Sequence, residues 1–248
     1  MLRTFIKKMK TNIKQRNIKI IAEVHPQHMG SINELERMML QCKMGGADFV
    51  KVQLYSSQSL FNNNDRNFLE LKKEEFLRIV NYSRDIGIKL FASVFDEERF
   101  QWCEEAGIEI YKIASRTVAD KNLCKKIIST KKKVIISLGM YDFKKNPLPF
   151  KGENIIYLYC VSKYPTSLSE IEMPDFKKDF FQGFSDHTIG ISACIYAASR
   201  GAEYLEKHYS NNKSMNVDTQ QAHVCSMNYE DLNKLREYCD SITLLRNK

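Results

Sequence analysis

The sequence predicts an α/β fold, a single (β/α)8 barrel of the TIM type, on three observations. Short apolar, β-branched runs alternate with longer segments of helical periodicity, as parallel strands alternate with crossover helices. Eight such runs fit into 248 residues, the length of one barrel and enough chain to bury a sizeable core. No long linker separates them, so one closed domain is expected rather than two.

Strands are expected at residues 19–23, 49–54, 89–93, 110–113, 134–137, 155–160, 182–185 and 204–208, and helices at 32–44, 72–86, 97–105, 121–130, 191–200 and 229–245. Asp96 and Asp120 stand where side chains cap helix N-termini, and Gly45, Gly87, Gly107 and Gly201 where helices stop. Residues 138–154 contain Pro147, Pro149 and two glycines, which is too broken for a crossover helix, so the helix after strand five is expected to be missing. Residues 164–181, interrupted by Pro165 and Pro174, are expected to carry only a short helical turn around Ser169. Residues 1–18 are expected to form a basic N-terminal arm, and 19–248 the barrel domain.

Composition excludes several function classes. Hydrophobic residues at 43% and charged residues at 27% fit a soluble globular chain and exclude a disordered or fibrous one. The net charge of +8 comes from Lys and Arg spread along the chain without interleaved aromatics, so no nucleic-acid partner is expected, while a basic pocket for a small anion is. Seven cysteines without a CxxC pair do not form a disulfide framework and fit a cytoplasmic protein. No run of roughly 18 apolar residues is present, so no membrane partner is expected.

In a barrel of this kind function sits at the carboxyl ends of the strands. Polar residues collect there: Glu23 on strand one, Lys51 and Gln53 on two, Ser93 on three, Lys112 and Ser115 on four, Ser137 on five, Ser162 and Tyr164 after six, Ser185, Asp186 and His187 at seven, Glu206 and His208 on eight. Lys51 and Lys112 lie inside apolar runs, where an unpaired ammonium is costly. With the hydroxyls around them they suit a phosphate and a carboxylate. His187 and His208, on adjacent strands, are placed to reach one divalent metal, with Glu206 and Glu23 as nearby oxygen donors; a hydrogen-bonded histidine pair without metal is the alternative. Cys160, flanked by apolar residues, is expected in the core.

The stretches IIAEVHPQHMG, GGADFVKVQ, LFASVFD, YKIAS, VIISLGM, LYCVSKYPTSLSEI, GFSDHTIGISACIYAASRGA and EKHYS resemble, in order, the barrel domain of the N-acetylneuraminate (sialic acid) synthase family over about residues 20–210. FSDHTIG and EKH carry the most specificity. The resemblance implies a phosphoenolpyruvate site of Lys51, Ser93, Lys112, Ser115, Ser137, Ser162 and Ser185. It implies a divalent metal, manganese or magnesium, on His187 and His208, with no organic cofactor. Glu23 becomes the acid/base group, and Gln53 and Tyr164 touch an amino-sugar aldehyde. The implied reaction joins the two substrates into a nonulosonic acid and releases phosphate.

The departures from the family pattern gather on the acceptor side. NHNG becomes PQHMG, keeping His28 and Gly30; Thr117 replaces a Glu; an Asp-His pair appears as Ala222 and His223, whereas on the phosphoenolpyruvate side Ser93 and Ser162, where many relatives have Thr and Asn, keep a polar group. Each charge-assisted hydrogen bond lost from a buried site costs about 1.5 to 3 kcal/mol, so an altered acceptor is expected. The resemblance covers the barrel alone, so the C-terminal antifreeze-like domain is expected to be lacking. A homodimer formed through barrel helices is the expected assembly.

Overall fold

The computed structural model describes residues 18–215 and 222–246. The strands β1 (Lys19–Glu23), β2 (Phe49–Leu54), β3 (Lys89–Val94), β4 (Ile110–Ile113), β5 (Lys133–Ser137), β6 (Ile155–Cys160), β7 (Gly183–Asp186) and β8 (Tyr204–His208) form a closed parallel barrel in sequence order. Closure is made by β1 against β8, with Glu23 opposite His208. Strand seven starts and ends one residue later than the sequence suggested. The proposed arm up to residue 17 lies outside the described residues, and Ile18, read as part of it, is fully buried and belongs to the barrel.

Seven α-helices are present among the described residues: α1 (Ile32–Met44), α2 (Ser57–Phe61), α3 (Lys73–Asp85), α4 (Glu97–Glu105), α5 (Lys121–Ser129), α6 (Ser192–Ser199) and α7 (Tyr229–Arg246). In α1 the buried residues Leu35, Met38, Met39 and Cys42 recur at the spacing that makes one apolar stripe, and Phe76, Ile79, Val80 and Ser83 do the same in α3. Asp96 and Asp120 cap α4 and α5 by accepting from the backbone N–H groups of Arg99 and Leu123 at 2.9 and 3.0 Å. The five-residue α2 was not anticipated, because SSQSLFNNN carries no helical apolar period.

As expected, no helix separates β5 from β6, and only a 3-10 turn (Leu168–Glu170) lies between β6 and β7. Aromatic side chains cover this side instead. Phe143 packs on Phe181 at 5.0 Å and Phe180 at 6.0 Å, while Tyr157 and Tyr159 of β6 meet Phe180 and Phe181 at 6.0 and 5.6 Å. Tyr157 Oη donates to Phe150 O at 2.6 Å, fastening the loop to the strand.

Period-two alternation puts Phe49, Lys51 and Gln53 on one face of β2, and it does the same for Phe91 and Ser93 on β3, for Ile135 and Ser137 on β5, and for Glu206 and His208 on β8. The barrel is therefore apolar in its middle layer and polar at its carboxyl end. At Gly183 a Cβ would lie 2.2 Å from Tyr204 O and 2.8 Å from Leu158 Cδ2, so only glycine lets these strands close. Lys207 Nζ is buried and bonds Asp186 Oδ2 at 2.8 Å and Thr188 O at 2.7 Å. That pair locks the ends of β7 and β8 together and fixes the neighbouring His187 and His208.

Candidate active site

A cavity of about 420 Å³ opens at the carboxyl end of the barrel. The family resemblance gave roles to twelve residues: Glu23, Lys51, Gln53, Ser93, Lys112, Ser115, Ser137, Ser162, Tyr164, Ser185, His187 and His208. All of them line it. Ser162 is exposed at the edge, whereas Ser93, Ser137 and Ser185 are buried.

The floor is an ion-pair network on four strands. Lys51 Nζ lies 2.7 Å from Glu23 Oε2 and 3.2 Å from Glu206 Oε2. Lys112 Nζ lies 3.1 Å from Glu206 Oε1 and donates to Ser137 Oγ at 2.9 Å. Ser185 Oγ donates to the same Glu206 oxygen at 2.9 Å. One carboxylate thus holds two ammonium groups side by side, and all four charged residues are at most 5% exposed. Such burial is tolerable only because each charge is paired.

Glu206 and Glu23, expected as oxygen donors near a metal, are the two carboxylates of this network. Both carboxylates are engaged by lysines, and among the described residues no group of three His, Cys, Asp or Glu is arranged to hold a metal ion. Glu206 is a lysine clamp. Burial raises its pKa, but Lys112 and Lys51 outweigh that and hold it well below the usual carboxylate range. Glu23 is the opposite case, since burial exceeds the effect of Lys51 and its pKa is raised, as suits a group that gives and takes a proton. Burial lowers the Lys112 pKa despite Glu206, while in Lys51 the two carboxylates overcome burial and the net shift is upward.

The two histidines face each other across the pocket with ring centroids 5.8 Å apart. His187 Nδ1 donates to Val161 O at 2.9 Å, and His208 Nδ1 donates to Gln27 Oε1 at 3.2 Å. Each bond fixes the tautomer whose Nε2 is a bare acceptor, the form a metal binds. Burial, then the neighbouring His187, keeps the His208 pKa well below its ordinary value. The residues therefore suit a divalent cation with two imidazole ligands and its remaining positions open to water and substrate oxygen. Tyr164 stacks on His187 at 4.0 Å and meets His208 edge-on at 5.8 Å, so it packs on the histidines as well as lining the cavity.

Several residues of the site were not foreseen. Cys160, expected in the core, is buried at the cavity wall with Sγ 3.8 Å from His187 Nδ1. Burial raises its thiol, yet the His187 ring outweighs it and the net shift is downward. His25, Tyr55, Phe61, Arg66 and Arg116 also line the cavity. Arg116 directly follows Ser115, so strand-end position was a usable signal for it; Arg66 sits in the polar run FNNNDRN, which offers none. Of the Ala222 and His223 pair, Ala222 lines the cavity, while His223 is buried outside it against Ser210 Oγ at 2.8 Å and Asn212 O at 3.1 Å. Asp186 points to Lys207 and not into the cavity.

A closed eight-stranded barrel with a paired lysine floor and facing imidazoles at its carboxyl end has its polar cavity where barrel enzymes carry their active sites. The chain belongs to the NeuB family, whose model matches residues 38–247. It is 32% identical over 212 residues to an uncharacterised protein of Methanocaldococcus jannaschii, covering 79% of this chain and 63% of that one. It is 29% identical over 228 residues to the N,N'-diacetyllegionaminic acid synthase of Campylobacter jejuni, covering 79% and 68%. Among solved structures it matches an N-acetylneuraminic acid synthetase from Leptospira borgpetersenii with a TM-score of 0.82 at 28% identity, covering 93% and 85%. The chain thus spans about two thirds of the length of the curated relatives it matches.

Proposed function

We propose that this protein is a sialic-acid-type synthase that condenses phosphoenolpyruvate with an amino-sugar aldehyde to give a nonulosonic acid and phosphate. The carrying observation is the pairing of two buried ammonium groups on one carboxylate, opposite two imidazoles with bare Nε2 atoms, in a single cavity. The chain's similarity to an N,N'-diacetyllegionaminic acid synthase and to an N-acetylneuraminic acid synthetase supports it.

Lys51 and Lys112, with Ser93, Ser115, Ser137, Ser162 and Ser185, bind the carboxylate and phosphate of phosphoenolpyruvate. Ser93 Oγ is buried without a partner among the described residues, a donor ready for such an anion. His187 and His208 would hold manganese or magnesium, which when bound supplies Lewis acidity to the aldehyde. The methylene carbon of phosphoenolpyruvate forms the new C–C bond with the aldehyde carbon, and Glu23 delivers a proton to the resulting alkoxide. Water adds to the former enol carbon, its proton returns to Glu23, and the C–O bond to phosphate breaks as the keto acid forms. Gln53, 3.5 Å from Glu23 Oε2, and Tyr164 orient the sugar. No organic cofactor enters.

The test is phosphate release from phosphoenolpyruvate by metal-stripped protein resupplied with manganese, across a panel of amino-sugar aldehydes, with His208→Ala as control. Release that needs both sugar and metal and vanishes in the variant is expected. Tight phosphoenolpyruvate binding without release under any condition would make the chain a binding barrel instead.

A further inference from the structure

We propose that Tyr55 is a specificity-determining residue that donates its O–H to an oxygen of the acceptor sugar, and that His28 and His25 are positioning residues that hold this hydroxyl in the donating sense. This rests on the synthase reading and adds to it a residue that reads the acceptor beyond Gln53.

The sense of the chain is set by the backbone. Gly30 N–H donates to His28 Nδ1 at 3.1 Å, and an amide nitrogen only donates, so the His28 proton sits on Nε2. His28 Nε2–H then donates to His25 Nδ1 at 3.0 Å, which places the His25 proton on Nε2 as well. His25 Nε2–H donates to Tyr55 Oη at 3.4 Å. Each acceptance fixes the next donation and strengthens it. The tyrosine ends the chain with its oxygen engaged and its own proton unused, since Oη makes no other hydrogen bond among the described residues. Burial lowers the pKa of both imidazoles, in keeping with the neutral rings this order requires.

Packing holds every link. Gly30 has φ 78°, and a Cβ there would strike Phe68 O, so only glycine brings this N–H to His28. His25 N–H donates to Glu23 Oε1 at 3.0 Å and Gln53 Nε2 to His25 O at 3.4 Å, tying the loop to the ends of β1 and β2. The Tyr55 ring meets His25, Phe61 and Phe95 edge-on at 5.4, 5.6 and 6.1 Å. Hydroxyl rotation is the freedom that remains, and His25 settles it.

Lys51, Gln53 and Tyr55 alternate along β2 and just past its end, and all three line the cavity, at successive heights roughly 6 to 7 Å apart. Lys51 is on the floor with Glu23 and Glu206, Gln53 is beside Glu23, and Tyr55 stands one level nearer the mouth. With phosphoenolpyruvate on the floor and the aldehyde at Glu23, oxygens further along the acceptor come level with Tyr55. A hydroxyl free to turn would serve donors and acceptors alike, whereas one turned by His25 selects an oxygen that accepts.

The experiment runs the phosphate-release assay on the full chain and on Y55F, H28F, H28Q and H28F/Y55F. Y55F is expected to raise KM for the amino sugar by about fivefold to tenfold, with KM for phosphoenolpyruvate within about twofold. H28F removes the donor that holds His25; the ring then accepts at Nε2, Tyr55 turns its O–H towards it, and KM for the sugar should rise as in Y55F. H28Q keeps an N–H near the Nε2 position and should return that KM to within about twofold of wild type. In the Y55F background H28F should add nothing. An unchanged sugar KM in Y55F overturns the proposal, and so does an H28F effect that adds to Y55F, which would make His28 purely structural. Imidazole nitrogen chemical shifts at neutral pH give the tautomers without turnover: protons on Nε2 of both rings are expected, and a proton on Nδ1 of either ends the proposal. Should H28F fail to fold, Y55F and the tautomers decide. If no sugar releases phosphate the synthase reading fails, and calorimetry with the same sugars decides Tyr55 separately: weaker binding in Y55F keeps its role, while equal binding, or none by the wild type, ends it.

Discussion

At the floor of the cavity each cation faces a carboxylate, whereas at its mouth Arg66 and Arg116 face a phenyl ring. The floor is built from strands, so its side chains are fixed by barrel register: Glu23 stands opposite Lys51 and His208, Ser93 opposite Lys112, and Ser185 opposite Glu206. The mouth is built from α2, the loop that follows it and the 3-10 turn after β4, and is braced by local hydrogen bonds and by Tyr55 against Phe61. Charge at the floor is therefore neutralised within the barrel itself, while the two arginines at the mouth pair with no carboxylate among the described residues.

The comparison breaks most severely at Glu206. Glu206→Ala leaves Lys51 with Glu23 alone and Lys112 without a carboxylate, and it should cost about 3 to 5 kcal/mol of stability, read from the urea midpoint. A loss below about 1 kcal/mol would mean that water replaces the carboxylate.

Next comes the loop after β1. His28 Nε2 lies 3.0 Å from His25 Nδ1, and burial lowers the His28 pKa to about 4, with His25 shifted the same way by burial and then by His28. Because the folded-state values lie below the unfolded value of about 6.5, the unfolded chain takes up protons first. Stability is fully present above that pH and is lost as pH falls towards 4, by on the order of 3 kcal/mol for His28. Thermal melts of wild type and H28Q across this window should converge at low pH; parallel curves would show that His28 does not titrate in this way.

A smaller effect is expected at Gln27. Gln27→Ala removes the acceptor that orients His208 and should weaken manganese binding by about 10- to 100-fold while the fold persists, measured by calorimetry. Unchanged affinity would show that packing alone orients the ring. Smallest is Tyr164→Ala, since the side chain is 40% exposed. Its stability cost should stay below about 1 kcal/mol, with the loss appearing in KM for the sugar.

Strand positions were legible in the sequence because an apolar run of period two with a polar residue at its carboxyl end has one reading inside a barrel. That rule delivered Lys51, Lys112, His187 and His208 to the cavity. It gives a position and no partner, which is why Glu206 was read as an oxygen donor near a metal with no sign of the two ammonium groups that meet its oxygens. Cys160 is buried as its apolar neighbours suggested, and what they did not announce is that its thiol also meets the cavity beside His187. Loop residues left less trace. Arg66 reaches the cavity only because α2 and the left-handed Asn62 fold the loop back, and neither feature has an apolar period to announce it.

The wall at β5 and β6 has a further consequence for how the molecule opens. Elsewhere a crossover helix shields the strands with its own continuous hydrogen-bond ladder, and the ladder and strand must part together. Here the shield is a set of ring contacts around Phe143, Phe180 and Phe181, held to the strand by Tyr157. Side chains can release one at a time without breaking a backbone ladder, so this wall is the low-energy door of the barrel. Amide hydrogen exchange in β6 should outpace that in β2, making the sector between β5 and β7 the first cooperative unit to open.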